Sequence, residues 1–207
     1  EMCIRDRYKM AYKIFQIDTS IKQTQDSFTR RTGQYFIRKF QEKFGQLEVS
    51  YLDLAKNPPA YITAGWYDAA SLPPGARSSE QNKLLLEPNM QPLRDCGLWL
   101  FDLAGYMYDA PASFKSWLEH AVQIGLTVDE EWKPLLSGKR VVVISAWGGS
   151  EDEVSPELGF ASALRKAMKF IGVEDITFFN IFNTEEITAT EDDAQRAISR
   201  YISDLQL

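Results

Sequence analysis

Three short stretches hold the residue types from which a binding site can be made. The first is "DTSIKQTQDSFTRR", Asp18 to Arg31, with five hydroxyls at Thr19, Ser20, Thr24, Ser27 and Thr29 ahead of a helical pattern. Free N–H groups and the helix dipole make such a helix start an anion site, and short hydroxyl side chains add donors without crowding it. Neither G-x-G-x-x-G nor G-x-x-x-x-G-K-[ST] is present, so a monophosphate fits better than a dinucleotide or a nucleoside triphosphate. The second is "LAGYMYDAP", Leu103 to Pro111, where an apolar run ends on Ala104-Gly105-Tyr106-Met107-Tyr108, with no charge and no nucleophile, before Asp109. That loop suits a flat, uncharged ring. The third is "SAWGGSEDE", whose Gly148-Gly149 pair lets backbone approach a ligand edge and donate N–H groups. Each has a plainer reading: Ser27 as an ordinary helix cap, Tyr106 and Tyr108 as packing residues, and Gly-Gly as a turn into a helix with an acidic start.

Little else in the chain can do chemistry. One histidine and two cysteines, Cys3 and Cys96, are too few for a metal cluster or a disulfide framework. His120, next to Glu119, is expected on the polar side of its helix, solvated or at an interface. Cys96 is expected to begin a buried strand and to be inert. A net charge of −6 and a pI near 5.0 argue against a nucleic-acid partner. No apolar run reaches the roughly 18 residues of a membrane span, and no secretory leader is visible, so a cytoplasmic protein is expected. The opening "EMCIRDRYK", residues 1–9, reads as a non-native or disordered leader before Met10, with 10–207 as a single domain.

Five apolar runs must position these stretches: Tyr12–Asp18, Leu47–Leu52, Cys96–Ala104, Arg140–Trp147 and Ile176–Phe182. Three are almost continuously apolar, as strands covered on both faces are. Amphipathic helices lie between them. Phe28, Tyr35, Phe36, Phe40 and Phe44 mark the first. Phe114, Trp117, Leu118, Ala121 and Val122 follow i, i+3, i+4, i+7, i+8. Ala161, Leu164, Met168 and Ile171 form another stripe, stopped by Gly172, and a further helix is expected near Ser78–Met90. The last helix opens on Thr190 to Asp193, which resembles a capping box, and buries Ala194, Ile198, Tyr201 and Leu205. Two connections are long, Asp53–Gly75 and Gly125–Gly138, and Trp132 in the second is placed to reach over a ligand.

Repeated strand–helix alternation predicts an α/β fold with a five-stranded parallel sheet of flavodoxin-like order 2-1-3-4-5 in a three-layer sandwich. Its crevice lies at the carboxyl ends of strands 1, 3 and 4, where the three stretches fall. A phosphoacceptor receiver of the same fold needs an acidic pair after strand 1 and a lysine ending strand 5. Here Thr19-Ser20 follow Asp18, and strand 5 runs into Asn183-Thr184.

From Met10 onward the chain resembles the FMN-dependent NADH-azoreductase and NAD(P)H:quinone reductase family. "FKSWLEHAVQIGLT" is similar to that family's L-K-x-W-[IL]-D-H-x-x-x-x-G-x-T-F, and "LSGKRVVVISAWGG" to its L-x-G-K-K-x-x-x-[IV]-x-[ST]-x-G-G. "LEVSYLDLAKNPPA" resembles its strand-2 segment ending D-L-x-x-x-P-[IL]-P. The resemblance implies that Ser20, Ser27, Phe28 and Thr29 hold the FMN phosphate. Gly105, Tyr106, Met107 and Tyr108 would line the isoalloxazine, and Ala146, Trp147, Gly148 and Gly149 would meet its pyrimidine edge. Ala104, Gly105 and Met107 depart from the family's proline, methionine and asparagine. Tyr106, Tyr108 and Trp147 are expected as walls for small aromatic substrates. The resemblance further implies ping-pong reduction of quinones or azo compounds by NADH or NADPH, and a homodimer in contact through the Trp117/His120 helix. Two alternatives remain open at this stage: a flavin electron carrier that reduces no substrate, and a relative that has lost FMN and acts as a binding or regulatory protein.

Overall fold

A computed structural model describes residues 11–86, 90–186 and 189–206. The leader expected at residues 1–9 lies outside the described residues. Five strands, β1 (Tyr12–Asp18), β2 (Leu47–Asp53), β3 (Leu98–Ala104), β4 (Arg140–Ala146) and β5 (Asp175–Ile181), form one parallel sheet of order β2-β1-β3-β4-β5. The expected topology is observed. Central β3 is buried along Leu98–Leu103, whereas edge strand β2 exposes Val49 and Tyr51. One-sided cover explains why "LEVSYL" alternates and "LWLFDL" does not.

Helix α1 (Phe28–Phe44) starts at Ser27, whose Oγ accepts from Arg30 N at 3.3 Å, and ends at Gly45 with φ +88°. It packs with α8 (Glu191–Asp204) on one face of the sheet. Phe36 and Phe40 there meet Ile14, Leu100, Val142 and Ile198. Truncating either phenylalanine to alanine would cost about 3–5 kcal/mol, because each is fully buried. On the other face, α5 (Ala112–His120) and α7 (Phe160–Phe170) pack Phe114, Trp117, Leu164 and Met168 onto Phe15, Trp99 and Phe101.

Several boundaries differ from expectation for local reasons. β3 begins at Leu98 because Cys96 closes the short helix α4 (Pro92–Asp95), its N–H donating to Pro92 O at 3.0 Å. α5 stops at His120, before Ala121 and Val122. Gln123 Nε2 and Thr127 Oγ1 donate to the carbonyls of His120 and Ala121 at 2.9 and 2.6 Å and end the helical ladder. The 53–75 connection holds α2 (Ala64–Ala70), capped by Thr63, and α3 is Ser79–Leu86. The first turn of α8 has no capping box. Thr190 Oγ1 accepts instead from Phe182 N at 2.9 Å and fastens the helix to the end of β5. A true capping box occurs where none was expected, between Ser150 and Glu153 at α6 (Glu151–Val154).

Candidate functional site

Four loops meet at the carboxyl ends of β1, β3, β4 and β5 around an open cleft of about 650 Å³. Eight of the twelve sequence-predicted residues line it: Ser20, Ser27, Phe28, Thr29, Gly105, Tyr106, Ala146 and Gly148. Met107, Tyr108, Trp147 and Gly149 do not. At one end the Ser27 and Thr29 hydroxyls stand 3.2 Å apart, and the Ser20 hydroxyl accepts from Lys22 N at 3.3 Å. Ser27 therefore does cap α1, and it also borders the cleft. The N–H groups of Phe28 and Thr29 occupy first-turn positions that have no acceptor within a helix. Donors and dipole together suit an anion.

The other end is uncharged in its strand-borne walls. Gly105 N donates to Ala146 O at 2.8 Å, which continues the β3–β4 ladder. Tyr106 and Asp109 then exchange two backbone hydrogen bonds, of 2.9 and 3.1 Å, across Met107 and Tyr108. Both central residues have positive φ, 49° and 64°, as in the mirror-image turns that normally take Asn-Gly. The turn thrusts Met107 and Tyr108 into solvent, at 90% and 67% exposure.

Besides Tyr108, two expected aromatic walls are absent from the cleft. The Trp147 indole is buried, donates to Ser145 Oγ at 2.7 Å and packs 5.8 Å from the Phe160 ring. It turned inward because Gly105 leaves the space under the strand end empty. Trp132 lies in a loop whose Leu136 N donates to Ile171 O at 3.1 Å. That places the loop against the end of α7, before β5 begins, away from the cleft of its own chain. His120 also departs from expectation. It is buried, with Nδ1 2.8 Å from Ser116 O and its ring edge-on to Trp66 at 4.8 Å. The residue faces inward, packed under the α2 excursion rather than solvated. Cys96 is buried as expected, and burial pushes its thiol up, away from reactivity.

Sequence reasoning missed four cleft residues, Lys22, Asp26, Thr184 and Glu185, and a charged cluster beneath the loop. Thr184 is held by its N–H to Trp147 O at 3.1 Å, and the Glu185 side chain lies over Gly148. Asp53, Asp18 and Asp102 are in register across β2, β1 and β3, and all three are buried. Arg30 of α1 reaches Asp18 Oδ2 at 2.9 Å, Asp53 Oδ1 at 3.0 Å and Ser20 O at 2.7 Å. Tyr51 OH donates to Asp18. Burial alone would raise Asp53, but the Arg30 hydrogen bond and charge outweigh it and hold the carboxyl below its usual range. Burial raises Asp18, and burial plus the neighbouring Asp18 charge hold Asp102 well above the usual range. The signal was available: three successive strands carry an aspartate at the same register near their carboxyl ends.

A family model described as flavodoxin-like fold matches residues 12–205. The chain belongs to that family. Among curated flavodoxin-like relatives, FMN-dependent NADH:quinone oxidoreductase 1 of Trichormus variabilis is 29% identical over 193 residues, 90% of each chain. The FMN-dependent NADH:quinone oxidoreductase of Herminiimonas arsenicoxydans is 28% identical and covers 91% of this chain and 94% of its own. Among solved flavodoxin-like structures, the FMN-dependent NADH-azoreductase from Bacillus anthracis in complex with FMN has a TM-score of 0.75 at 17% identity. It covers 93% of this chain and 98% of that one. The NAD(P)H:quinone oxidoreductase from Methanothermobacter marburgensis has a TM-score of 0.71 at 17% identity, covering 95% and 100%. These structures share the fold. No described helix of the flavodoxin-like chain is long and apolar enough to cross a membrane.

Proposed function

We propose that the chain is an FMN-dependent oxidoreductase that uses NADH or NADPH to reduce quinones or azo compounds. The observation that carries this reading is one cleft with a hydroxyl-bearing helix start at Ser27 and uncharged strand ends at Ala104–Gly105 and Ala146. Relatives named for this activity match over about nine-tenths of their length. Bound there, FMN would supply the two-electron redox chemistry that links a nicotinamide donor to the acceptor.

The chain's own residues bind, orient and shield. Ser20, Ser27 and Thr29, with the N–H groups of Phe28 and Thr29, hold the phosphate. Gly105 and Tyr106 use their N–H groups within the chain. The backbone donor left for the ring edge is that of Gly148, next to Ala146 in the cleft lining. Gly105 and Tyr106 flank the ring, and the projecting Met107 and Tyr108 meet the flat substrates. The uncharged loop fits a cofactor that brings its own redox chemistry.

The same reading makes the protein a cytoplasmic homodimer in contact through the Trp117/His120 helix, α5, though through other side chains of it. Trp117 and His120 are buried within the chain. The outer groove between α5 and α7, with Leu118, Val122, Ala167 and Phe170, offers an apolar face to a second copy. NADH oxidation with menadione tests the function: the FMN-loaded protein turns over many equivalents. A flavin-loaded protein without turnover would be a carrier, and one that never takes up FMN would be a binding protein.

A further inference from the structure

Below the cleft, the charged cluster has more carboxyls than cations. Among the described residues, Arg30 is the one guanidinium that reaches Asp18 and Asp53, and both are paired with it. Asp102, directly in register with Asp18, is fully buried and receives Gln16 Nε2 on Oδ2 at 2.7 Å. Asp18 Oδ1, Asp53 Oδ2, Asp102 Oδ1 and Arg30 Nε are buried without a hydrogen-bond partner; Asp53 Oδ2 is ion-paired with Arg30 at 3.0 Å, which leaves the Oδ1 atoms of Asp18 and Asp102. Two such oxygens on neighbouring in-register carboxyls are satisfied together by one proton, with one carboxyl donating and the other accepting. The helix side of the pair is closely packed. A Cβ at Gly33 of α1 would sit 2.2 Å from Asp102 Oδ2, so the helix backbone lies directly against the carboxyl.

The backbone of Asp102 also joins both ends of the cleft. Its carbonyl accepts from Thr19 N at 3.1 Å and from Thr19 Oγ1 at 3.0 Å, next to Ser20. Thr19 Oγ1 in turn accepts from Ala104 N at 3.0 Å, next to Gly105. Arg30 closes the ring of contacts through Ser20 O, and its own N–H is capped by Ser27.

We propose that Asp102 and Asp18 share one proton, and that this proton is a positioning element for the anion-binding loop, so that phosphate binding at Ser20 and Ser27 is coupled to its retention. This rests on the FMN reading above. Losing the proton would place three carboxylates against one guanidinium beneath a bound phosphate and pull Arg30 off Ser20. The groups facing Asp102 are Asp18 and Gln16 from β1, Arg30 and Gly33 from α1, and Ile144 from β4. Beyond β1, Asp53 and Tyr51 face Asp18 and Arg30, and Lys56 lies 3.5 Å from Asp53. Of the cations among these, Arg30 is already paired with Asp18 and Asp53, and Lys56 with Asp53.

The test is the affinity of the full chain for FMN from about pH 7 to about pH 9.5, where the ligand phosphate stays dianionic. Riboflavin, which lacks the phosphate, is titrated in parallel. Wild type is expected to weaken towards FMN, approaching about tenfold per pH unit once the pair ionises. Asp102→Asn, which keeps a donor but cannot ionise, is expected to stay flat, and so is Asp102→Ala if the amide folds poorly. Riboflavin binding should follow pH less than FMN binding. A ligand-free readout accompanies this: the infrared carbonyl band of a protonated carboxyl, present in wild type at neutral pH and lost in Asp102→Asn. FMN binding that is pH-independent in wild type, or that changes in parallel in wild type and Asp102→Asn, overturns the shared proton and leaves the FMN reading standing. An absent carbonyl band does the same. Failure to bind FMN at any pH overturns the FMN reading, and the coupling with it.

Discussion

The indole of Trp147 fills the volume that a side chain at Gly105 would need: a Cβ there would fall 2.1 Å from Trp147 Cε3. The family methionine missing at residue 105 is thus explained by a tryptophan buried behind it. Gly105→Ala is expected to destabilise the fold by about 1–3 kcal/mol through overpacking. Urea unfolding of Gly105→Ala, Trp147→Ala and the double variant should show strong non-additivity, since the two side chains compete for one space. Additive losses would show that the residues do not share it.

Ser27 has two roles that substitution can separate. Ser27→Ala removes the cap on α1 and should cost about 1 kcal/mol of stability, whereas Ser27→Gly should cost only a few tenths. Both remove the hydroxyl from the cleft, so both should weaken FMN binding alike. An Ser27→Gly protein with unchanged affinity would leave Ser27 as a cap alone.

The turn at Met107-Tyr108 stores backbone strain, with φ of 49° and 64° on residues that have side chains. Tyr108→Gly should stabilise the fold by about 1 kcal/mol by relieving it. Its Km for quinones should rise, because an exposed aromatic beside the cleft is lost. A stabilised variant with unaltered Km would show that the strain serves something other than substrate contact.

Stability should depend on pH through Asp102 in a direction that can be worked out. Its carboxyl is held well above the ordinary 3.8 in the folded chain, by burial first and by Asp18 second. Its contribution is fully present below 3.8. It is lost as pH rises from there through the folded value, because the unfolded chain ionises first. In urea titrations Asp102→Asn should gain on wild type as pH rises from about pH 4 towards neutrality. A gap that narrows as pH rises would contradict the assignment.

Arg30 is the opposite case. Arg30→Met leaves Asp18 and Asp53 buried without their cation and should cost about 3–5 kcal/mol in the same assay.

How legible all this was follows from the kind of signal involved. Strands were readable because a parallel sheet covered on both faces forces unbroken apolar runs such as "RVVVISA", and the order β2-β1-β3-β4-β5 followed from strand–helix alternation. Three cleft loops were readable because turn and cap chemistry is local: Ser27 caps, Gly148-Gly149 turns. What failed depended on which way a side chain points. Trp147, Trp132 and His120 have the composition of site residues, yet their directions are set by Gly105, by the end of α7 and by Trp66, contacts distant in sequence. The aspartates were each visible. Their convergence on Arg30 needed the register of three strands, which no single segment encodes.

The central claim is tested most directly by calorimetric titration of FMN into the full chain. The account predicts saturable one-to-one binding that weakens when Ser20 or Ser27 loses its hydroxyl. Absence of heat under conditions where the protein is folded, or binding indifferent to both hydroxyls, would contradict it.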